Sequence, residues 1–366
     1  MKKQTRSSDD LLDAINFSDV KQASSLFLDK MSKKENALKI HNSLFPIVQR
    51  VLNPPFIAPH LPKMYSICRQ LFPYLEQDEI PSLVRLEIEE YARREKLESL
   101  PRSGTTIPVE FSEIKTAIKS QDVNHTAELF TSAYVSLGKT EFAKQLLLLG
   151  SGYLSNSLGH SISCTAFILK EMMDRSDPWP ALSALADYFC KGRFSETPDL
   201  RLEKLSSLKV EEVLLCAVSG SSIVDLHHTI TLYAIEQVLH LLTPREYEYM
   251  LASWVEFVGD KRLELFSTDR KFDAPESYSQ FDRVFSGFDA IETVNCLAAL
   301  LSSDLKRHRM GRFIIKGLCE HYTGEYNPHF ITGLGAVLWL IERYWDQPNV
   351  ALTGLYQYID FFYNNS

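Results

Sequence analysis

Thr243-Pro244-Arg245-Glu246-Tyr247-Glu248-Tyr249-Met250-Leu251, running on through Trp254 and Val255 to Val258, reads as a helix from its first residue. Threonine can cap. Proline suits the first helical position, where its missing N–H is not needed. A glutamate three residues after the cap closes a capping box. Tyr247, Met250, Leu251, Trp254, Val255 and Val258 then recur at helical spacing along one face. The same period extends outward through nearly every other segment. Pro178-Trp179-Pro180 opens another helix, running to about Cys190-Lys191-Gly192, where glycine supplies a stop. No stretch alternates β-branched residues between hairpin turns. The expected fold class is all-α.

The helices repeat. Ala14-Ile15, Asp19-Val20 and Leu26-Phe27 return as Ala117-Ile118, Asp122-Val123 and Leu129-Phe130. His60 pairs with His160, Pro81 with Pro180 and His228 with His329 at nearly the same spacing, about a hundred residues, far longer than a solenoid repeat. The expectation is a duplicated multi-helix bundle in a single large helical domain spanning 1–366. Its copies cover about 10–96 and 112–192, with a divergent helical remainder over 203–363. Leu97 to Glu110, with Pro101, Gly104 and Pro108, joins the copies, and Phe266 to Gln280, with Pro275, reads as a second loop.

Composition excludes several classes. The chain is 45% hydrophobic and 23% charged, which is ordinary for a globular protein and unlike a disordered one. A net charge of −8 and the lack of a basic stripe argue against a nucleic-acid binder. The six cysteines are scattered through apolar runs without a Cys-x-x-Cys, so they read as buried free thiols of a reducing compartment. Met1 to Asp10 lacks the apolar stretch of a signal peptide, and the other apolar runs are broken too early to span a bilayer. No membrane association and a cytoplasmic location are expected.

One phrase recurs. His160-Ser161-Ile162-Ser163, His228-Thr229-Ile230-Thr231 and His329-Phe330-Ile331-Thr332 all read His-x-Ile-Ser/Thr, each leading into an apolar helical run. His60 sits at a similar helix start in Pro59-His60-Leu61-Pro62. The first turn of a helix disfavours imidazolium, because unpaired N–H groups and the positive dipole end lie there. A neutral ring is then available as a base, a hydrogen-bond partner or a metal ligand. The hydroxyls of Ser163 and Thr231, three positions on, lie on the same helix face as their histidines. Structural histidines are duplicated as faithfully as catalytic ones, so ordinary buried caps are the competing reading.

Two chemistries fit the phrase. A His-only site suits zinc, copper or iron, but no His-Glu-x-x-His or Glu-x-x-His accompanies it. Asp225-Leu226-His227-His228 and Asp289-Ala290-Ile291-Glu292 supply nearby carboxylates. A flat organic ligand fits better, because the helical runs carry many aromatics, among them Tyr65, Phe167, Tyr233 and Trp339. Gly333-Leu334-Gly335, inside a helical run, reads as a close helix crossing.

At these residues the chain resembles the questin oxidase-like family. Pro59-His60-Leu61-Pro62 looks like that family's Asn-His-Leu-Pro helix start. Gly159-His160-Ser161-Ile162-Ser163-Cys164 is similar to its His-Pro-Leu-Ile-His segment, and His228-Thr229-Ile230-Thr231 with Ala234 to its His-x-x-Thr segment. The order along the chain agrees, and the resemblance spans roughly residues 40 to 345. It implies an all-helical enzyme that opens rings of polyketide anthraquinones oxidatively, with NADPH as electron source. The chain departs from the family in two places. Cys164 stands where the family has a second histidine, and Asp289-Ala290-Ile291-Glu292 where it has a His-x-Ile-Lys segment.

The resulting expectation is an oxidoreductase-like protein acting on a hydrophobic, aromatic small molecule. His160, His228 and His60 are the candidate catalytic residues, with His160 and His228 as base or hydrogen-bond donor to a carbonyl or phenol. Ser163, Thr231, Asp289 and His329 are the candidate substrate contacts, and no metal ligand is assigned. Two alternatives stand beside it: a non-catalytic helical ligand-binding or protein-interaction protein, and a metal-dependent oxygenase using His160, His228 and His329.

Overall fold

A computed structural model describes residues 8–98, 100, 108–173, 175, 177–194, 210–259, 263–267, 273–322 and 327–366. The fold is all-α. Eighteen α-helices follow one another along the described residues, which hold no strand, only the isolated bridges Val51–Lys96 and Asn53–Phe56. The box at Thr243 and Glu246 forms as read, and helix α13 (Pro244–Val258) grows from it. Helix α10 spans Trp179–Gly192, and the next residue, Arg193, takes the left-handed conformation that ends it. Pro101 and Gly104 of the first expected loop, and 268–272 of the second, lie outside the described residues.

The chain divides into two compact units. The first is built from Met1–Ser136 and Glu171–Arg193, the second from Leu137–Lys170 and Phe194–Ser366. The second expected repeat copy is therefore shared between the units. In the first unit, α2 (Val20–Ser32) packs on α1 (Ser8–Asn16) and α5 (Ile80–Arg93). There α3 (Ala37–Val48) lies against α4 (His60–Leu71) and α5, while α7 (Val123–Ser136) lies against α6 (Phe111–Ser120) and α10. In the second unit the central pair is α12 (Ile223–Gln237) and α17 (His329–Arg343). Around them pack α11 (Val210–Val218), α13, α16 (Asp304–His321) and α18 (Pro348–Asn365).

Gly333 makes the α12–α17 approach possible, as its sequence context predicted. A Cβ there would lie 2.8 Å from Leu226 Cδ2 and 3.2 Å from Tyr358 Cδ2. Side-chain bonds then hold α12 in place. Thr229 donates to Gln357 Oε1 at 2.8 Å, Gln357 donates onward to the Ala217 carbonyl, and the Trp254 indole donates to the His228 carbonyl at 2.9 Å. Each satisfies a polar group that would otherwise be buried at a cost. None of the six cysteines is in a disulfide, and Cys68, Cys164, Cys190 and Cys296 are buried. Among the described residues no helix is long and apolar enough to cross a membrane.

Candidate metal centre

Three histidines of the second unit converge. His160 is the first residue of α9 (His160–Met172), His329 the first of α17, and His227 lies in the second turn of α12. All three are buried. The Nε2 atoms of His160 and His227 are 3.0 Å apart, and those of His227 and His329 2.9 Å. Ligand atoms of the three fall within 4.8 Å of one another.

Local structure sets each ring. Before α9, Leu158 and Gly159 both take left-handed backbone conformations, at φ 51 and φ 75. The turn brings the Ser157 carbonyl to His160, where it accepts from the backbone N–H at 3.1 Å and lies 2.7 Å from Nδ1. Gly159 is required there: a Cβ would sit 2.0 Å from Thr231 Oγ1. Ser161 secures the same turn, donating to the Gly150 carbonyl at 2.7 Å. Before α17, Asn327 Oδ1 accepts from the backbone N–H of His329 at 3.0 Å and lies 2.8 Å from its Nδ1. In α12, Nδ1 of His227 lies 2.6 Å from the Ile223 carbonyl one turn back.

The three Nδ1 partners are oxygens that can only accept: two backbone carbonyls and one amide oxygen whose identity is fixed by the N–H it also accepts. Each Nδ1 therefore carries the hydrogen, and in the neutral ring Nε2 is left as a lone pair. With neutral rings, the His227 lone pair then faces those of His160 and His329 at about hydrogen-bond distance, an arrangement that is repulsive without a cation between them. Imidazoles oriented through Nδ1–H to oxygen, with Nε2 turned inward, are the usual second-shell pattern of histidine metal ligands. Two nitrogens bound tetrahedrally at 2.0–2.1 Å from zinc would be about 3.3 Å apart, so the rings need to spread only by a few tenths of an ångström.

The sequence-derived site is thus partly regrouped. His160 and His329 meet, but the residue between them is His227. His228, the next residue, turns away: its ring packs edge-on to Phe257 at 4.7 Å. The capping box of Ser222 and Asp225 starts α12 at Ile223, which puts His228 sixth in the helix and not at its start. Neighbouring helical residues point about 100° apart, so the two rings cannot serve one centre equally. Ser222 and Asp225, spaced like any capping box, were the signal in the sequence that could have shown this.

The remaining candidates of the second unit have other surroundings. Thr231 is buried and its Oγ1 has no hydrogen-bond partner, so it does not orient an imidazole. Ser163 is fully buried within α9. Asp289 is exposed and caps α15 (Ala290–Ala298), accepting from the Glu292 N–H at 2.9 Å. His60 belongs to the first unit. It opens α4, is buried, lies 3.4 Å through Nδ1 from Asn53 Nδ2, and meets Phe56 edge-on.

Comparison with protein-family models, with curated proteins and with solved structures gives no match. The fold class and the histidine geometry stand on the chain's own residues.

Proposed function

We propose that this chain is a transition-metal protein whose ion is held by Nε2 of His160, His227 and His329. One observation carries the reading: three Nδ1–H groups are engaged by acceptor-only oxygens while the three Nε2 lone pairs are turned on one another. An imidazole donor set suits zinc, copper or iron. When bound, such an ion supplies Lewis acidity and, as iron or copper, a change of oxidation state.

The reaction we attach to the centre is oxidation of a hydrophobic aromatic molecule, as the resemblance to the questin oxidase-like family implies. In this reading His160 is a ligand, and a ring bound through Nε2 is no longer a base. NADPH remains the electron source that the resemblance suggests.

The test is elemental analysis of the purified chain after loading in turn with zinc, iron(II) and copper. One equivalent of metal per chain is expected, and much less in His227→Ala. A wild-type chain that retains none of the three would leave protons as the only cation between the rings and end the metal reading.

A further inference from the structure

The first unit holds a second buried histidine built on a different plan. His41 in α3 and Glu87 in α5 are both fully buried, with Nδ1 of the ring 2.8 Å from Glu87 Oε2. The other carboxylate oxygen, Oε1, accepts from the Tyr91 hydroxyl at 2.8 Å. Tyr65 stacks flat on the imidazole with centroids 4.2 Å apart, and Phe72 meets its edge at 4.8 Å. Ring position, tilt and tautomer are therefore all set. The remaining ring nitrogen, Nε2, is buried and has no hydrogen-bond partner. Such an omission costs roughly 1–3 kcal/mol if nothing fills it.

His41 lines a cavity of about 410 Å³ together with Asn42, Arg69, Phe72, Gln77 and Ile80. That is within the range of small-molecule pockets. Arg69 is half-exposed and is held from behind. Its Nη1 donates to Glu171 Oε2 at 3.0 Å, and Glu171, itself buried, also accepts from Ser66. This leaves the Nε–Nη2 edge of the guanidinium, the edge that grips a carboxylate through two parallel hydrogen bonds. The pocket thus sets an anion fork and an aromatic wall beside a buried imidazole whose Nε2 lacks a hydrogen-bond partner.

We infer that this pocket binds a small hydroxylated aromatic carboxylic acid, its carboxylate on Arg69 and its hydroxyl on Nε2 of His41. The hydroxyl completes the buried ring's hydrogen bonding, and the aromatic ring lies along Phe72 and Ile80. The inference does not rest on the metal centre, which lies in the other unit's residues.

The experiment titrates the full chain, labelled with ¹⁵N-histidine, with 4-hydroxybenzoate, and follows heat and the His41 nitrogen resonances. Saturable one-to-one binding that moves the Nε2 resonance is expected. Benzoate and phenol, each lacking one polar group, should bind about tenfold more weakly, the worth of one charge-assisted hydrogen bond. His41→Gln and Arg69→Gln should each cost a similar factor, and His227→Ala should cost none. R69Q takes one partner from the buried Glu171, which keeps Ser66 and Arg175, so its fold is verified by circular dichroism and it decides the matter even if H41Q does not fold. Absence of saturable binding, an unmoved Nε2 resonance, or binding that R69Q leaves intact would overturn the proposal.

Discussion

Two arrangements of buried histidine, one in each unit, do opposite things. In the second, three rings each give Nδ1–H to a neutral oxygen and turn Nε2 toward one another. In the first, the His41 ring gives Nδ1–H to a buried carboxylate, and its Nε2 is buried without a hydrogen-bond partner. Burial is nearly the same in both. The difference lies in what holds Nδ1 and in how many Nε2 atoms share a volume. Converging lone pairs ask for a cation, whereas an isolated one asks for a hydroxyl or another donor. The identity and burial of a histidine say little about its chemistry until both nitrogens are accounted for.

The largest effect that would sharpen this contrast is His227→Ala. Its Nε2 is the one close to both neighbours, so metal affinity should fall roughly a hundredfold or more, beyond the effect of losing a second-shell partner. Competition with a chromophoric chelator measures it. Unchanged affinity would remove the second unit's distinguishing property.

Next comes Glu87→Gln in the first unit. Breaking a buried charged partnership typically costs 3–5 kcal/mol, and about 3 kcal/mol is expected here by urea denaturation. Tyr91→Phe, which removes one donor from the same carboxylate, should cost about 1 kcal/mol. If E87Q proved as mild as Y91F, Glu87 would be no more than a neutral acceptor and the two units would differ less than the geometry implies.

Asn327→Ala should weaken metal about 10–100-fold by freeing the His329 ring, with stability lowered by about 1 kcal/mol through the lost hydrogen bond to the His329 N–H. Calorimetric titration of metal into the apo chain separates the two effects. The smallest expected change is Thr231→Val. The hydroxyl it removes is buried and unbonded, so thermal stability should stay within about 0.5 kcal/mol of the wild type or rise, with metal affinity unchanged. A marked loss would show that the hydroxyl serves the centre after all.

Much of this was readable from the sequence, and the failures have physical causes. The all-α class followed from the helical period, and the starts of α4, α9 and α17 at His60, His160 and His329 followed from the repeated phrase. The same phrase misled at α12. Sequence similarity aligns His228 with His160 and His329, but capping at Ser222 sets where the helix begins, and one residue of shift rotates the ring out of the centre. The Nδ1 partners of His160 and His227 are backbone carbonyls, and a carbonyl has no letter in a sequence. The pairing of His41 with Glu87 was equally invisible, since it exists only because α3 packs on α5.

The left-handed turn at Leu158 and Gly159 has a consequence for mutational tolerance. Gly159 contributes no atom to any bond of the centre beyond its backbone, yet alanine there would meet both an unfavourable φ and the Thr231 side chain. A saturation scan scored on metal retention should therefore find position 159 among the least permissive in α9's approach. At exposed Leu158, by contrast, asparagine or glycine should be accepted as readily as the native residue. Sensitivity at 159 and indifference at 158 would be the signature, in a population of variants, of a ligand aimed by its backbone.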